Sequence, residues 1–239
     1  MTTLRNRAGE LLDATFHPGQ PGDRRVVAIG HGVTSHKDRP WLIALSESLT
    51  AAGIASVRFS FAGNGSSQGR YGDATISKEI EDLGAVVDAL GDRVVVYAGH
   101  SMGAAVGTLR AARDPRIRAL VSLAGMVHIG AFMQRVFGHL RPDIDCMLGK
   151  PQCPLTTAFL EDAFAHRDTL GAAAQVSVPW LLVHGTDDEL VPLQDAHDAR
   201  RAASDPTSIE IEGADHRFTG HERAMAEAVV SWLQRVHPA

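Results

Sequence analysis

The stretch that most constrains this chain is Val94-Val95-Val96-Tyr97-Ala98-Gly99-His100-Ser101-Met102-Gly103. An apolar run ends in Gly-His-Ser-Met-Gly, and an alanine-rich helical segment, Ala104 to Arg113, follows it. A serine at a sharp strand-to-helix turn has a strained backbone, and the two chain arms pass close together. Glycines two residues to either side, Gly99 and Gly103, relieve that crowding. The turn lifts the Ser101 hydroxyl off the sheet and aims the following N–H groups and the helix N-terminus at one point. An oxyanion formed there meets the positive end of the helix dipole. The G-x-S-x-G pattern is short and recurs by chance in unrelated chains; the strand before it and the helix after it give it weight.

The remaining segments repeat the strand-then-helix order. Arg24 to Ile29 reads as a buried strand running into Gly30-His31-Gly32. Asp38 as a capping residue and Pro40 near the first helical position open a helix with Trp41, Leu42, Leu45 and Leu49 on its apolar face, and Gly53 closes it. Ile54 to Phe61 reads as the next strand, followed by a polar turn over 62–69. Ile76, Ile80, Leu83, Val87 and Leu90 then mark a second amphipathic helix with Gly91 behind it. After the Ala104 helix come strands at Ile117–Leu123, Trp180–Val183 and Ile209–Ile211, a helix after Pro192, and a last helix carrying Met225, Val229, Trp232, Leu233 and Val236. Thr219 and Glu222 have capping-box spacing at the start of that helix. Residues 4–18 read as an edge hairpin around Gly9. Such alternation predicts right-handed crossovers and an α/β fold with a mostly parallel, doubly wound sheet.

Residues 126–175 break the rhythm: they are helix-like, richer in Phe and Met, and interrupted by Pro142, Pro151 and Pro154. The expected organisation is a core of residues 1–125 and 176–239 carrying a small helical cap insertion at 126–175. Within it Ile129, Phe132, Met133, Val136, Phe137 and Leu140 fall on one helical face. Two uses compete for that face: packing onto the sheet domain, or lining a substrate pocket with Met126, Phe132, Met133 and Phe137.

Length and composition set limits on partners. A chain of 239 residues with 44% hydrophobic and 21% charged residues buries a sizeable single-domain core. A net charge of -5 argues against nucleic acid or an anionic membrane surface as the main partner. The N-terminal residues carry no signal-peptide pattern, and no apolar run is long enough to span a membrane. With two cysteines, Cys146 and Cys153, expected as free thiols although their pairing is left open, a cytoplasmic location is the expectation. A homodimer is compatible with all of this.

A serine hydroxyl needs a base to accept its proton, and the base needs a third group to orient it. His184-Gly185-Thr186-Asp187-Asp188-Glu189-Leu190-Val191-Pro192 follows the Trp180 strand and offers the acid. Gly213-Ala214-Asp215-His216-Arg217-Phe218 follows the Ile209 strand and offers the base. Each element alone is weak, but three in the order Ser, Asp, His, each directly after a strand, are strong.

On these motifs, with His31-Gly32-Val33 and the turn Arg58-Phe59-Ser60-Phe61-Ala62-Gly63-Asn64-Gly65-Ser66, the chain resembles the α/β-hydrolase superfamily of serine hydrolases. It is similar to small bacterial cinnamoyl (feruloyl) carboxylesterases. The resemblance implies that Ser101 is the nucleophile, His216 the base and Asp188 the acid, with Asp187 in reserve. It implies an oxyanion hole from the N–H groups of Met102 and Val33, no cofactor, and a small-molecule ester as substrate, short-chain or aryl. Thioesters and amides pass through the same oxyanion and stay open as alternatives. Gly63-Asn64-Gly65 stands where the family more often has Gly-His-Gly, which is expected to change loop hydrogen bonds and not the reaction. His100 and His184 are expected to pack or hydrogen-bond locally, and His31 to anchor the oxyanion loop. No H-E-x-x-H or Cys/His cluster points to a metal.

Two readings from other classes compete. Gly30-His31-Gly32 after a strand, with Arg58 ending the next one, looks like a dinucleotide turn with a basic residue for a 2′-phosphate. The third glycine is absent, however, and the loop to the next helix is long. A non-catalytic binding module on the same fold is the other, set against the intact serine and histidine contexts.

Overall fold

The computed structural model describes residues 3–236. Seven strands form one sheet: β1 (Ala14–His17), β2 (Arg25–Gly30), β3 (Ala55–Phe59), β4 (Val94–His100), β5 (Ile117–Leu123), β6 (Trp180–Gly185) and β7 (Thr207–Ile211). Their order is β1-β3-β2-β4-β5-β6-β7, with β1 antiparallel to β3 and every other pair parallel. The helices are α1 (Pro40–Ala51), α2 (Ile76–Leu90), α3 (Met102–Ala111), α4 (Ile129–Phe137), α5 (Thr157–His166), the single turn α6 (Leu170–Ala173), α7 (Leu193–Ala202) and α8 (Glu222–Arg235).

Side chains alternate across each strand, so the sheet is apolar on both faces. On one face Val27, Ile29, Val96, Ala98, Val121 and Leu181 pack with Leu42, Leu45 and Leu49 of α1 and with Met225, Val229 and Trp232 of α8. On the other, Val26, Ala28, Val95, Tyr97 and Leu120 pack with Ile76, Ile80 and Leu83 of α2 and with Val106 of α3. The parallel strands end on one edge, and the segments leaving β2, β4, β6 and β7 there carry Val33, Ser101, Asp188 and His216.

Three local expectations give way to other partners. Residues 4–18 form no two-stranded hairpin: one antiparallel bridge joins Arg5 to Leu11, and β1 pairs with β3. Burial of Leu4 and Leu12 in the core sets that path. Asp38 does not cap α1; the N-cap is Arg39, without a side-chain cap, and Asp38 accepts from Lys37 and Arg58 at 2.7 Å each. Thr219 and Glu222 form no capping box, because α8 starts two residues later, behind His221 as N-cap. The Thr219 N–H instead donates to Asp215 at 2.8 Å. At α2 the N-cap is Thr75, whose hydroxyl accepts from the Lys78 N–H.

The inserted segment holds α4, α5 and α6. The α4 face is core: Ile129, Met133 and Phe137 are at most 1% exposed, Phe132 is 3% exposed, and all four belong to the cluster that contains Tyr97 and Leu120. Truncating a fully buried side chain of this size leaves a cavity. Met133→Ala and Phe137→Ala are therefore each expected to cost about 2–5 kcal/mol in urea unfolding. A loss below about 0.5 kcal/mol in both, the range of surface substitutions, would mean the face is not core.

Candidate active site

Ser101 follows β4 directly, at φ 55° and ψ -121°, and caps the N-terminus of α3. This backbone is sterically costly for a residue with a Cβ and holds only where neighbours leave room. A Cβ at Gly99 would lie 2.3 Å from the Gly103 carbonyl oxygen, one at Gly103 would lie 2.4 Å from the His31 carbonyl oxygen, and one at Gly32 would lie 2.8 Å from the Ser101 Cβ. The spaced glycines are thus required by three close backbone approaches.

His216 sits in the segment after β7 and is 5% exposed. Its Nδ1 lies 2.8 Å from Asp188 Oδ2, and its backbone carbonyl accepts from His100 Nε2 at 2.8 Å. Because a carboxylate can only accept, Nδ1 carries the proton and Nε2 is left as the basic nitrogen. The Asp188 side chain is fully buried. Its other oxygen accepts from the N–H groups of Leu190 at 2.9 Å and Val191 at 2.7 Å. His184 Nε2, which donates to the Val191 carbonyl at 2.9 Å, also comes within 3.3 Å of Asp188 Oδ2. Burial pushes the Asp188 carboxyl up; the hydrogen bonds from His184 and His216, the charge of His216 and the Val191 N–H outweigh it and hold the group below the usual carboxylate range. Asp187 is exposed and takes the Thr186 hydroxyl at 3.2 Å. Of the two aspartates, the structure brings Asp188 to His216.

His31 anchors the loop after β2. Its Nδ1 lies 2.9 Å from the Gly32 carbonyl, and its Nε2 accepts from the Phe61 N–H at 3.1 Å. This pairing fixes the neutral tautomer, and burial pulls its pKa down to about 4. The loop carries Val33, which lines the same cavity as Ser101. Among the described residues, neither the Val33 N–H nor the Met102 N–H, at the first turn of α3, donates to a protein acceptor. Two free donors beside a serine at a helix N-terminus are what an oxyanion needs. His100 packs against His216 and Trp41 in tilted arrangements, with ring centroids 4.8 and 5.0 Å away. Burial first, then the charge of His216, lower its pKa to about 3, so it too stays neutral.

Ser101, His216, His100 and Val33 line a cavity of ≈ 430 Å³. No hydrogen bond joins the Ser101 hydroxyl to the His216 ring among the described residues, and in ligand-free sites such bonds often close only around a substrate. Of the side chains expected to contact substrate, Phe132 lines this cavity. Met126, Met133 and Phe137 do not: Met126 borders a small void near Trp180 and His184, and Met133 and Phe137 are spent on the core. The lining instead recruits Trp41, Leu148 and Leu190, with Arg39, Lys150 and Arg217. Leu148 and Lys150 lie in loop structure between proline breaks, where helical periodicity gives no signal; Trp41 reads as ordinary helix core.

Arg58, the residue that suggested a 2′-phosphate site, donates to the Lys37 carbonyl at 2.8 Å and to Asp38 at 2.7 Å, so its guanidinium is already engaged. Asn64 turns inward and donates to the Ala62 carbonyl at 3.2 Å within its own turn.

Comparison with known proteins agrees with this geometry. The chain is 26% identical over 205 residues to the human mitochondrial palmitoyl-protein thioesterase ABHD10, covering 78% of this chain and 65% of that protein. It is 34% identical over 177 residues to lipase LipV of Mycobacterium tuberculosis, covering 73% and 60%. The matched stretches thus span less than two thirds of these relatives' own length. The solved structure of Est1E from Butyrivibrio proteoclasticus with ferulic acid superposes with a TM-score of 0.88 at 24% identity, over 98% of both chains, a likeness of fold. Residues 21–152 match the family described as serine aminopeptidase, S33, and the chain belongs to that family of α/β-hydrolase enzymes.

Proposed function

We propose that this chain is a serine esterase that cleaves small carboxylic esters through an acyl-enzyme, with Ser101 as nucleophile, His216 as base and Asp188 as its orienting carboxylate. The observation that carries this reading is the His216 ring, held through Nδ1 at 2.8 Å by a buried carboxylate while it opens on the same cavity as Ser101. Ser101 Oγ attacks the ester carbonyl carbon as its proton passes to His216 Nε2. The carbonyl electron pair moves onto oxygen, which the N–H groups of Val33 and Met102 receive. Collapse breaks the bond to the alcohol, which takes the proton from His216; water then repeats the steps on the acyl group and restores Ser101.

A cavity of ≈ 430 Å³ bordered by Phe132, Leu148 and Leu190 suits a short-chain or aryl acyl group. Thioester cleavage is the second reading: it uses the same steps with sulfur leaving, and the relatives named as thioesterases favour it. Among the described residues no helix is long and apolar enough to cross a membrane. The unbridged Cys146 and Cys153 support a reducing compartment, in keeping with a cytoplasmic location.

Ser101→Ala is expected to lower kcat/KM on p-nitrophenyl butyrate by about three orders of magnitude or more and to abolish fluorophosphonate labelling, with the urea midpoint retained. A folded variant that keeps full turnover would sink the nucleophile assignment.

Asp188→Asn leaves His216 without its charged partner and should cost roughly 100-fold or more in kcat, whereas Asp187→Asn, at an exposed position, should stay within about 2-fold. Equal losses in two equally stable variants would contradict the assignment of the acid.

The oxyanion loop should loosen in acid. The unfolded chain protonates His31 near pH 6.5 while the folded chain resists until about pH 4, so the unfolded state binds more protons across that window and stability falls as pH drops through it. His31 alone should contribute roughly 2 kcal/mol of loss between pH 7 and pH 4.5. Urea unfolding at the two pH values checks this: the gap should shrink in His31→Gln, and an unchanged gap would refute the role.

A further inference from the structure

Most cations of this chain have carboxylate partners. Next to the cavity, Lys37 and Arg58 both sit 2.7 Å from Asp38. Three cations that line the cavity differ. Among the described residues, Arg39, Lys150 and Arg217 form no ion pair. Arg39 Nε donates to the Ser35 hydroxyl at 3.0 Å and its Nη2 to the Thr34 carbonyl at 3.3 Å. Lys150 Nζ donates to the same carbonyl at 2.8 Å and to the Thr34 hydroxyl at 3.1 Å. Two positive ends therefore converge on one neutral oxygen. Arg217, exposed and next to His216 in the chain, lines the same cavity. Glu222 is the one carboxylate residue bordering this cavity among the described residues, and it pairs with none of the three.

Gathering like charges at a partly desolvated rim costs free energy, and an anion entering the rim recovers it. The geometry points to a substrate that carries a negative charge, carboxylate or phosphate, beside its scissile ester or thioester, held by Arg39, Lys150 and Arg217 at the rim of the Ser101 cavity. This rests on the esterase reading above. The arrangement is local: the chain as a whole carries a net charge of -5, so the rim is the exception that a diffusing anion would find. The cations feel one another. Burial first and the charge of Arg217 second lower the Arg39 pKa. Burial and the charge of Arg39 lead in lowering that of Lys150, with Arg217 acting in the same direction. Arg39 and Lys150 also steady Thr34, which follows the oxyanion donor Val33, so charge on the substrate would be sensed one residue from the hole. The same cavity also has apolar lining at Phe132 and Leu190, which suits the uncharged part of an acyl group.

Two matched pairs test this: p-nitrophenyl butyrate against the p-nitrophenyl monoester of glutaric acid, and S-butyryl-N-acetylcysteamine against butyryl-coenzyme A. In at least one pair the anionic member should have a kcat/KM roughly 10-fold higher, and that ratio should fall severalfold between about 20 mM and about 500 mM salt. The pair that shows it tells carboxylate from phosphate. The ratio should drop in Arg217→Gln and recover in Arg217→Lys, a readout that a loss of folding would not mimic. No preference in either pair, or a preference indifferent to both salt and Arg217→Gln, would overturn the proposal. Fluorophosphonate labelling of the wild type separates the two failures: labelling without preference defeats this inference alone, and no labelling defeats the esterase reading with it.

Discussion

The structure depends on backbone packed against backbone where β2 and β4 end. Gly30 and Gly99 are opposite each other in the parallel register. Just beyond them the His31 carbonyl, the Gly103 carbonyl and the Ser101 Cβ occupy space that side chains at Gly103, Gly99 and Gly32 would need. Tyr97, fully buried, fills the slot these glycines leave: its hydroxyl donates to the Gly103 carbonyl at 3.0 Å, and a Cβ at Gly30 would lie 2.1 Å from that hydroxyl. Gly107 opens the other side of the same ring, with a would-be Cβ 2.4 Å away. The serine turn is therefore held by excluded volume on every side. Its positive φ costs on the order of 1–3 kcal/mol, which the surrounding packing must over-determine.

Electrostatics then divide the buried polar groups into two kinds. His31 and His100 are kept neutral by desolvation, and their hydrogen bonds fix tautomers without needing charge. Asp188 keeps its charge in the same interior because four donors converge on it, two N–H groups and two imidazoles. A buried carboxylate without them would protonate and lose its hold on His216. The cap is joined by the same means. Asp195 of α7 accepts from the Val127 and His128 N–H groups at 2.8 and 3.1 Å, and the cap closes on itself where the Thr169 N–H meets the Val127 carbonyl at 3.0 Å.

What was legible in the sequence follows from which forces are local. The elbow, the alternating strands and helices, and the order of Ser101, Asp188 and His216 all live in short windows with fixed periods, and the parallel sheet with its covered faces follows from them. Capping fared worse. Asp38 is drawn away by Arg58, from the neighbouring strand, and Thr219 by the turn at Asp215, while Thr75, which the apolar pattern of α2 did not single out, caps that helix. A cap is worth about 1 kcal/mol, so one competing tertiary partner is enough to displace it. The β1 edge went the same way, its pairing decided by burial of Leu4 and Leu12.

The cap shows the harder limit. Helical periodicity identified the α4 face correctly as apolar but could not say what it faced, because a core and a pocket ask for the same side chains. The structure puts Met133 and Phe137 in the core and, of the four side chains expected at the substrate, brings Phe132 to the cavity. The rest of the lining comes from residues with no shared period: Trp41 at the start of a helix, Leu148 at a positive φ of 50° in a loop, and Lys150 two residues on. Arg39, Lys150 and Arg217 read as isolated surface charges in the sequence, and only the folded chain brings them to one cavity, where none of them forms an ion pair among the described residues. The cavity wall is therefore drawn from residues with no common pattern, around a serine turn whose pattern is strict. The turn must satisfy backbone geometry at every step, whereas the wall answers to no repeating spacing.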